Sequence, residues 1–306
     1  MRVKHDVNTQ YSCQVGYPLD YSCAAYVHNR MYEVAGLNAI CLSVEVKPED
    51  FPAFIEGNRA MGMSGFDITT PFKSEVIQYL DECEESSRVF KCVNHVKWVD
   101  GKLVGVGLDG VGMGMAIARS GAKIEGSRVT ILGAGAVAGP IAADLCKRGA
   151  KRVHIVNRTL EKAQYIAEQL MRLYPVEAVG VKWTKENLEK TAGETDLLVQ
   201  CTTLGAAGHG KDYEDLHFID CLPETATVAD VLYPHTSLLD TAAARGLKTV
   251  NGMGMLACQQ LAMMKFRFGI DMPDSALQDA EEAVDIAVAM RDLRLAKRTE
   301  EAKCHG

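Results

Sequence analysis

At 306 residues, with 47% hydrophobic and 24% charged side chains, the chain is long enough for two domains with substantial cores and has the composition of a globular protein. A net charge of -7 disfavours a general polyanion binder, so no nucleic-acid partner is expected. No apolar run approaches bilayer-spanning length, the stretch MRVKHDVNTQ lacks the apolar core of a signal peptide, and the ten cysteines form no C-x-x-C pair. The expectation is a cytoplasmic protein with reduced thiols, no membrane partner and no structural metal.

Residues 1–10 are polar and read as an irregular leader. A strand is expected over 12–15, closed by Gly16-Tyr17-Pro18, and a helix over 22–35 from its apolar spacing. Further strands are expected over 39–44, 65–69 and 92–99, and Pro48-Glu49-Asp50 opens a helix reaching Met61. Strands alternating with helices imply a mostly parallel sheet. The stretch 94–107 resembles a hairpin turning at Asp100-Gly101. Gly105, Gly107, Gly110, Gly112 and Gly114 then crowd together, as suits a hinge or a close ligand approach, and the crossing to a second domain is placed here.

Residues 129–159, VTILGAGAVAGPIAADLCKRGAKRVHIVNRT, read as strand, glycine turn, helix, strand. Gly133 permits the tight turn, Gly135 lets backbone approach a pyrophosphate, and small Ala138 lets helix pack on strand. The phosphates would face the positive helix end. Pro140 sits in the first helical turn, and Lys147, Arg148 and Gly149 supply a cationic last turn and a stop. Where an NAD site places an acid after the second strand, Asn157-Arg158-Thr159 stands instead. Arg158 suits a 2′-phosphate, with Lys162 as a second cation, so NADP is expected and NAD is the second choice. The alternative is a solvated Arg158 beside an N-capping Thr159.

One apolar face, Leu160, Ala163, Ile166, Ala167 and Leu170, predicts a further helix ended by Pro175. Segments 196–200, 227–232 and 247–250 read as more strands of a doubly wound sheet, followed by helices over 254–268 and 274–296 and a mixed-charge solvated tail.

Candidate chemistry begins at Gly65-Phe-Asp-Ile-Thr-Thr-Pro-Phe-Lys73, which puts a lysine after a strand end broken by Pro71, and at Asp109, which could equally cap a helix starting near Val111. Neither residue alone decides anything.

In order along the chain, the motifs resemble the shikimate and quinate dehydrogenase family. Gly16-Tyr17-Pro18 and the SCAAYVHN stretch at 22–29 are similar to G-x-P and S-x-S-P-x-x-H-N. The stretch from Asp67 to Lys73 is similar to N-V-T-x-P-x-K, Val93-Asn94 to A-V-N, and Gly105 to Gly110 to G-x-N-T-D-G. Cys201 to Gly205, Asp230 to Tyr233 and Gly252 to Gln259 extend the series.

The resemblance implies an α/β chain with an N-terminal α/β substrate domain, residues 1–110 completed by helices in 252–306. A Rossmann-like doubly wound nucleotide-binding domain, residues 111–251, follows, with the cleft between them. It implies an oxidoreductase that moves a hydride between a ring C–OH and the nicotinamide, in aromatic amino acid biosynthesis. Lys73 and Asp109 become the catalytic pair, the lysine exchanging the proton and the aspartate positioning it. Ser22, Thr69, Asn94, Tyr233 and Gln259 surround the substrate. Gly133, Gly135, Ala136, Val137, Asn157, Arg158, Thr159, Lys162, Thr202 and Gly252 surround the nucleotide. The partner is a small cyclic hydroxy acid or polyol, and the chain a monomer or homodimer.

The pattern is broken in the substrate region. Ala24 and Ala25 replace the second serine and the proline, Asp67 replaces an asparagine, and Gly107-Leu108 replaces Asn-Thr. Asp67 is either a charge that repels an anion or a buried, hydrogen-bonded structural residue. The expected substrate is thus shikimate, quinate or a relative with an altered or absent carboxylate. A catalytically silent NADP- and metabolite-binding sensor is the alternative. A methylenetetrahydrofolate dehydrogenase shares the fold logic but explains neither 22–29 nor 252–259.

Overall fold

The apolar alternation of the first 106 residues builds one sheet and the continuous apolar runs after residue 128 build another. The computed structural model describes residues 6–19, 21–206 and 211–304, with side chains to 297. Residues 1–5 of the expected leader lie outside the described residues, and Gln10 already belongs to a strand.

In chain order the first elements are β1 (Gln10–Gly16), α1 (Ala24–Val34), β2 (Ala39–Glu45), a 3-10 turn (Pro48–Asp50) entering α2 (Phe51–Ala60), and β3 (Gly65–Ile68). A second 3-10 turn (Glu75–Tyr79), β4 (Glu82–Cys83), α3 (Glu85–Val89), β5 (His95–Val99) and β6 (Lys102–Val106) follow. Then come α4 (Asp109–Arg119), β7 (Arg128–Leu132), α5 (Ala138–Lys147), β8 (Arg152–Asn157), α6 (Leu160–Leu173), β9 (Glu177–Lys182), α7 (Lys185–Gly193) and β10 (Leu197–Gln200). The chain continues through a 3-10 turn (His217–Cys221), β11 (Thr227–Asp230), α8 (Ser237–Ala244), β12 (Lys248–Val250), α9 (Gly252–Phe268) and α10 (Ala276–Cys304).

The chain divides into two compact units, residues 1–84, 93–106 and 260–306 in the first and residues 85–92 and 107–259 in the second.

The first unit holds a six-stranded sheet in the order β2-β1-β3-β5-β6-β4. Three of its pairings are parallel and two antiparallel. The antiparallel pairings are β3 with β5 and the hairpin β5-β6, whose two-residue turn places Asp100 at φ 49° and Gly101 at φ 78°, as its tight geometry demands. One sheet face carries Cys13, Val15, Phe66, Ile68 and Val96 into a core with Phe51 and Ile55 of α2. The opposite face is polar, presenting Ser12, Gln14, Asp67 and His95, all buried.

The second unit holds six parallel strands in the order β12-β11-β10-β7-β8-β9. The chain starts centrally at β7, winds outward to β9, then returns beside β7 as β10 and winds the other way. That reversal is the doubly wound arrangement, and it opens a crevice at the carboxyl ends of β7 and β10. The sheet is buried as its apolar runs require, with Leu132, Val156, Leu198 and Val228 packed among Leu188, Phe218 and Leu238.

Several elements differ from the sequence reading. β5 begins at His95, three residues later than expected, and β9, α7 and α8 are additional elements. α4 begins at Asp109 with Leu108 in the cap position, so Asp109 lies in the first turn and is not the cap. The glycine cluster packs helices closely: a Cβ on Gly110 would strike the Pro140 carbonyl oxygen, one on Gly112 would come within 2.5 Å of the Met255 carbonyl oxygen, and one on Gly114 would strike Asp144. The expected solvated tail is helical, because its Ala, Leu, Lys, Arg and Glu residues carry α10 on to Cys304.

Candidate active site

In the first unit the sheet brings four of the nominated residues to one end. β1 and β3 run parallel, so their carboxyl ends coincide, and β5 runs against β3, so its amino end joins them. The Thr69 N–H donates to the Val15 carbonyl at 2.9 Å, the Ile68 N–H to Asn94 at 2.8 Å, the Asn94 N–H to Val106 at 3.2 Å and the Val93 N–H to Lys73 at 3.0 Å. These bonds fix the backbone of Thr69, Lys73 and Asn94 together. Asn94 is buried and Lys73 half-buried. The Thr69 hydroxyl pairs with Tyr21 Oη at 3.3 Å. Ser22, just before α1, donates its hydroxyl to Gln14 Oε1 at 2.6 Å.

Behind that end lies a buried charged cluster. Asp67 is only 3% exposed and accepts from Arg267 Nη1 and Nη2 at 3.1 and 2.6 Å and from His95 Nδ1. His28 Nε2 lies 3.1 Å from Asp67 Oδ2, an electrostatic contact more than an aligned hydrogen bond, and its Nδ1 sits 2.6 Å from Gln260 Oε1. Arg267 also donates to Tyr32 Oη at 2.9 Å. Burial alone would push the Asp67 carboxyl up; the Arg267 guanidinium, then the two imidazoles, hold it well below the ordinary carboxylate range. Burial keeps the His95 imidazole below its usual value despite Asp67. The sequence names Asp67 and His28 but gives no sign of Arg267, His95 or Gln260 as their partners.

In the second unit Asp109 and Gln259 are joined, Gln259 Nε2 donating to Asp109 Oδ1 at 2.9 Å, and the Cys92 thiol lies 3.8 Å from Asp109 Oδ2. Tyr233 follows β11 and packs against the start of α9, where a Cβ on Gly252 would meet its ring at 2.8 Å and strike the Val231 carbonyl.

The glycine turn sits in the crevice between β7 and β10. Gly133 has φ 101°, and a Cβ there would press on Thr202 Cγ2 at 2.7 Å; a Cβ on Gly135 would only touch the Cys201 carbonyl oxygen, at 3.6 Å. Gln200, fully buried and unremarked in the sequence, accepts from the Thr202 N–H and donates to the Thr202 and Leu204 carbonyls, shaping that opposing turn. Ala136 and Val137 lead into α5. Asn157 donates to the Thr159 carbonyl at 2.8 Å, and Thr159 takes the cap position of α6 without a side-chain cap bond. Arg158 is exposed, its carbonyl held by Lys182 at 2.6 Å. A pocket of about 490 Å³ is lined by Ala134, Gly135, Ala136 and Lys162, with Phe90 and Tyr165 as walls that the motifs do not name.

Comparison with known proteins bears on both units. Residues 15–96 match the family model "Shikimate dehydrogenase substrate binding domain" and residues 116–206 match "Shikimate / quinate 5-dehydrogenase". Shikimate dehydrogenase (NADP(+)) of Alkaliphilus metalliredigens is 34% identical over 85% of this chain and 91% of its own length. The chain belongs to the shikimate dehydrogenase family. Ligand-free 5-ketofructose reductase of a Gluconobacter strain superposes with TM-score 0.79 at 28% identity, covering 92% of this chain and 99% of that one. Shikimate 5-dehydrogenase of Thermus thermophilus, solved with NADP(H) and shikimate, gives TM-score 0.78 at 27% identity over 91% of this chain and 100% of its own.

Within this shikimate dehydrogenase family frame, Asp67 is the buried, hydrogen-bonded residue and not a charge presented to a ligand. Its negative charge is matched by Arg267 inside the unit. No helix among the described residues is long and apolar enough to cross a membrane.

Proposed function

We propose that this chain is an NADP-dependent dehydrogenase interconverting a ring hydroxyl and a ketone of a cyclic polyhydroxy compound, a relative of shikimate or quinate with an altered or absent carboxylate, acting in the cytoplasm. The observation that carries the reading is the Asp109–Gln259 hydrogen bond, 2.9 Å between residues 150 positions apart that the motifs nominate independently. In this reading Ser22, Thr69, Asn94, Lys73, Asp109, Tyr233 and Gln259 serve the substrate, and the glycine turn serves the nucleotide.

Gly135, Arg158 and Lys162 would hold NADP, which would supply the hydride chemistry. Lys73 gives a proton to the developing alkoxide when a ketone is reduced and takes it back in the reverse direction. Asp109 accepts a substrate hydroxyl and orients Lys73, while Gln259 fixes the carboxylate rotamer. The relatives' names, one a 5-ketofructose reductase and others shikimate dehydrogenases, support a fold that serves more than one substrate.

The test is a panel of cyclic hydroxy acids and neutral cyclitols followed by NADPH absorbance. Lys73→Ala is expected to lower turnover by about 10²–10⁴-fold with NADPH binding intact. Undiminished turnover removes Lys73 from the mechanism. Tight NADPH binding with no turnover on the whole panel would favour a metabolite sensor.

A further inference from the structure

Gln14 stands on β1 with 6% of its surface exposed, on the polar face of the first sheet. A buried glutamine must satisfy its amide, and its carbonyl end takes the Ser22 hydroxyl proton at 2.6 Å. The Ser22 oxygen accepts one further bond, from the Ala24 N–H at 3.3 Å. A hydroxyl has one proton and two acceptor positions. At Ser22 the proton and one acceptor position are spent, and what remains is an acceptor.

We propose that Gln14 is a specificity-determining residue: by holding the Ser22 proton it makes this place accept a hydrogen, so the ring substituent met there is a neutral hydroxyl or hydroxymethyl group instead of a carboxylate. The inference rests on Ser22 being a substrate-binding residue, as in the function proposed above. A carboxylate has no proton to give and needs donors; set against an oxygen lone pair it is left desolvated and unpaired, whereas an alcohol donates. Three further observations agree. Ala24 has no hydroxyl where the family pattern places a second donor. Arg267, on α9, turns both terminal nitrogens to Asp67 and Tyr32, while Glu45 puts a carboxylate against the loop before Ser22 by accepting from the Leu19 N–H at 2.8 Å.

The decisive probes are a matched pair, shikimate and the alcohol in which CH₂OH replaces its carboxylate. Dissociation constants of both are measured by calorimetry on the full chain with NADP bound, and kcat/KM alongside. The wild type should favour the alcohol by about tenfold or more, the scale of one buried acceptor left without its donor. Gln14→Leu should move the ratio toward the acid by about tenfold, and Gln14→Leu with Ala24→Ser by about a hundredfold. Gln14→Glu, which can only accept, should keep the preference for the alcohol. Ala24→Ser alone gives a second route to the same shift should the buried substitution impair folding. NADPH affinity should move less than about twofold in every variant, a readout that general loosening would change. A wild type preferring the acid, a ratio unmoved by the variants, or binding of neither probe overturns the inference. Turnover judges the other reading separately: brisk oxidation of the acid leaves the dehydrogenase standing while this specificity falls, and binding of the alcohol without turnover does the reverse.

Discussion

Arg267 and Asp67, 200 positions apart, meet through two hydrogen bonds of 2.6 and 3.1 Å, with both side chains closed to solvent. The guanidinium comes from the end of α9 and the carboxylate from β3, so the pair ties the carboxyl end of the β-strand before Thr69 and Lys73 to the helix that carries Gln260. Removing one partner leaves the other charged and buried without its main counter-charge, which costs about 3–5 kcal/mol. Asp67→Asn and Arg267→Leu should each lower urea stability by that amount. The double variant should recover part of the loss, because neither position then holds a buried charge without its counter-charge. Losses that simply add would mean that the two residues act independently.

Asp67 and Asp230 should make stability depend on pH in opposite directions. Asp67 is held below the ordinary carboxylate range when folded, so its stability contribution is present above about pH 4, its unfolded value, and is lost as the pH falls below it. Asp230, at the end of β11, is the reverse case: burial pushes its carboxyl up to about 6, only partly offset by the Leu232 N–H and the Thr236 hydroxyl. The native state then binds the extra proton, and its contribution is lost as the pH rises from about 4 to about 6. Asp230→Asn keeps the bond from the Leu232 N–H on its amide oxygen, reverses the Thr236 contact so that the amide N–H donates to the hydroxyl oxygen, and removes the titration. Denaturation midpoints of this variant should therefore fall less than those of the wild type between those pH values. Parallel profiles would show that Asp230 titrates alike folded and unfolded.

The polar cluster explains what the sequence hid. β7, β8 and β10 are legible because each carries a short apolar run into the core, and the Asp100-Gly101 turn is legible because such a pair readily accepts two positive φ angles. β9 escaped because it is an edge strand, Glu177–Lys182, with half of its residues exposed and no apolar run to mark it. α7 buries only Leu188, Thr191 and Ala192, too sparse a stripe to read. α8 did carry a signal, since the Thr236 hydroxyl accepts from the Leu239 N–H, a cap that the strand rhythm around it obscured. Of the site, motif spacing could nominate Asp109 and Gln259 but nothing local announces that Arg267 must answer Asp67, or that Gln14 must answer Ser22. Those pairings exist only once strands and helices are packed.

Asp109 is expected to matter through its charge and through Gln259. Asp109→Asn retains the shape and the contact with Gln259 Nε2 but loses the carboxylate, and should lower kcat/KM by about 10²–10⁴-fold. Gln259→Leu leaves the Asp109 carboxylate short of one donor and should cost about tenfold to a hundredfold, with KM rising more than kcat falls if Gln259 also touches substrate. Steady-state kinetics on the best panel substrate check both, and an Asp109→Asn enzyme of normal activity would remove the residue from the reaction.

Nucleotide choice tests the second unit on its own. Arg158 is exposed at the end of β8, and Lys162, one turn into α6, lines the pocket beside the glycine turn. A 2′-phosphate offers such cations charge-assisted hydrogen bonds that NAD, lacking the group, cannot make. Each bond of this kind is worth about 1.5–3 kcal/mol, or about tenfold to a hundredfold in affinity. Arg158→Ala should therefore weaken NADPH by that factor and leave NADH almost unchanged, and Lys162→Ala should add a smaller loss that fades as salt rises, since that side chain is exposed and screened. Fluorescence titrations with both nucleotides, at low and high ionic strength, distinguish the cases. Equal weakening of NADH and NADPH would show that Arg158 supports the turn itself and does not read the phosphate.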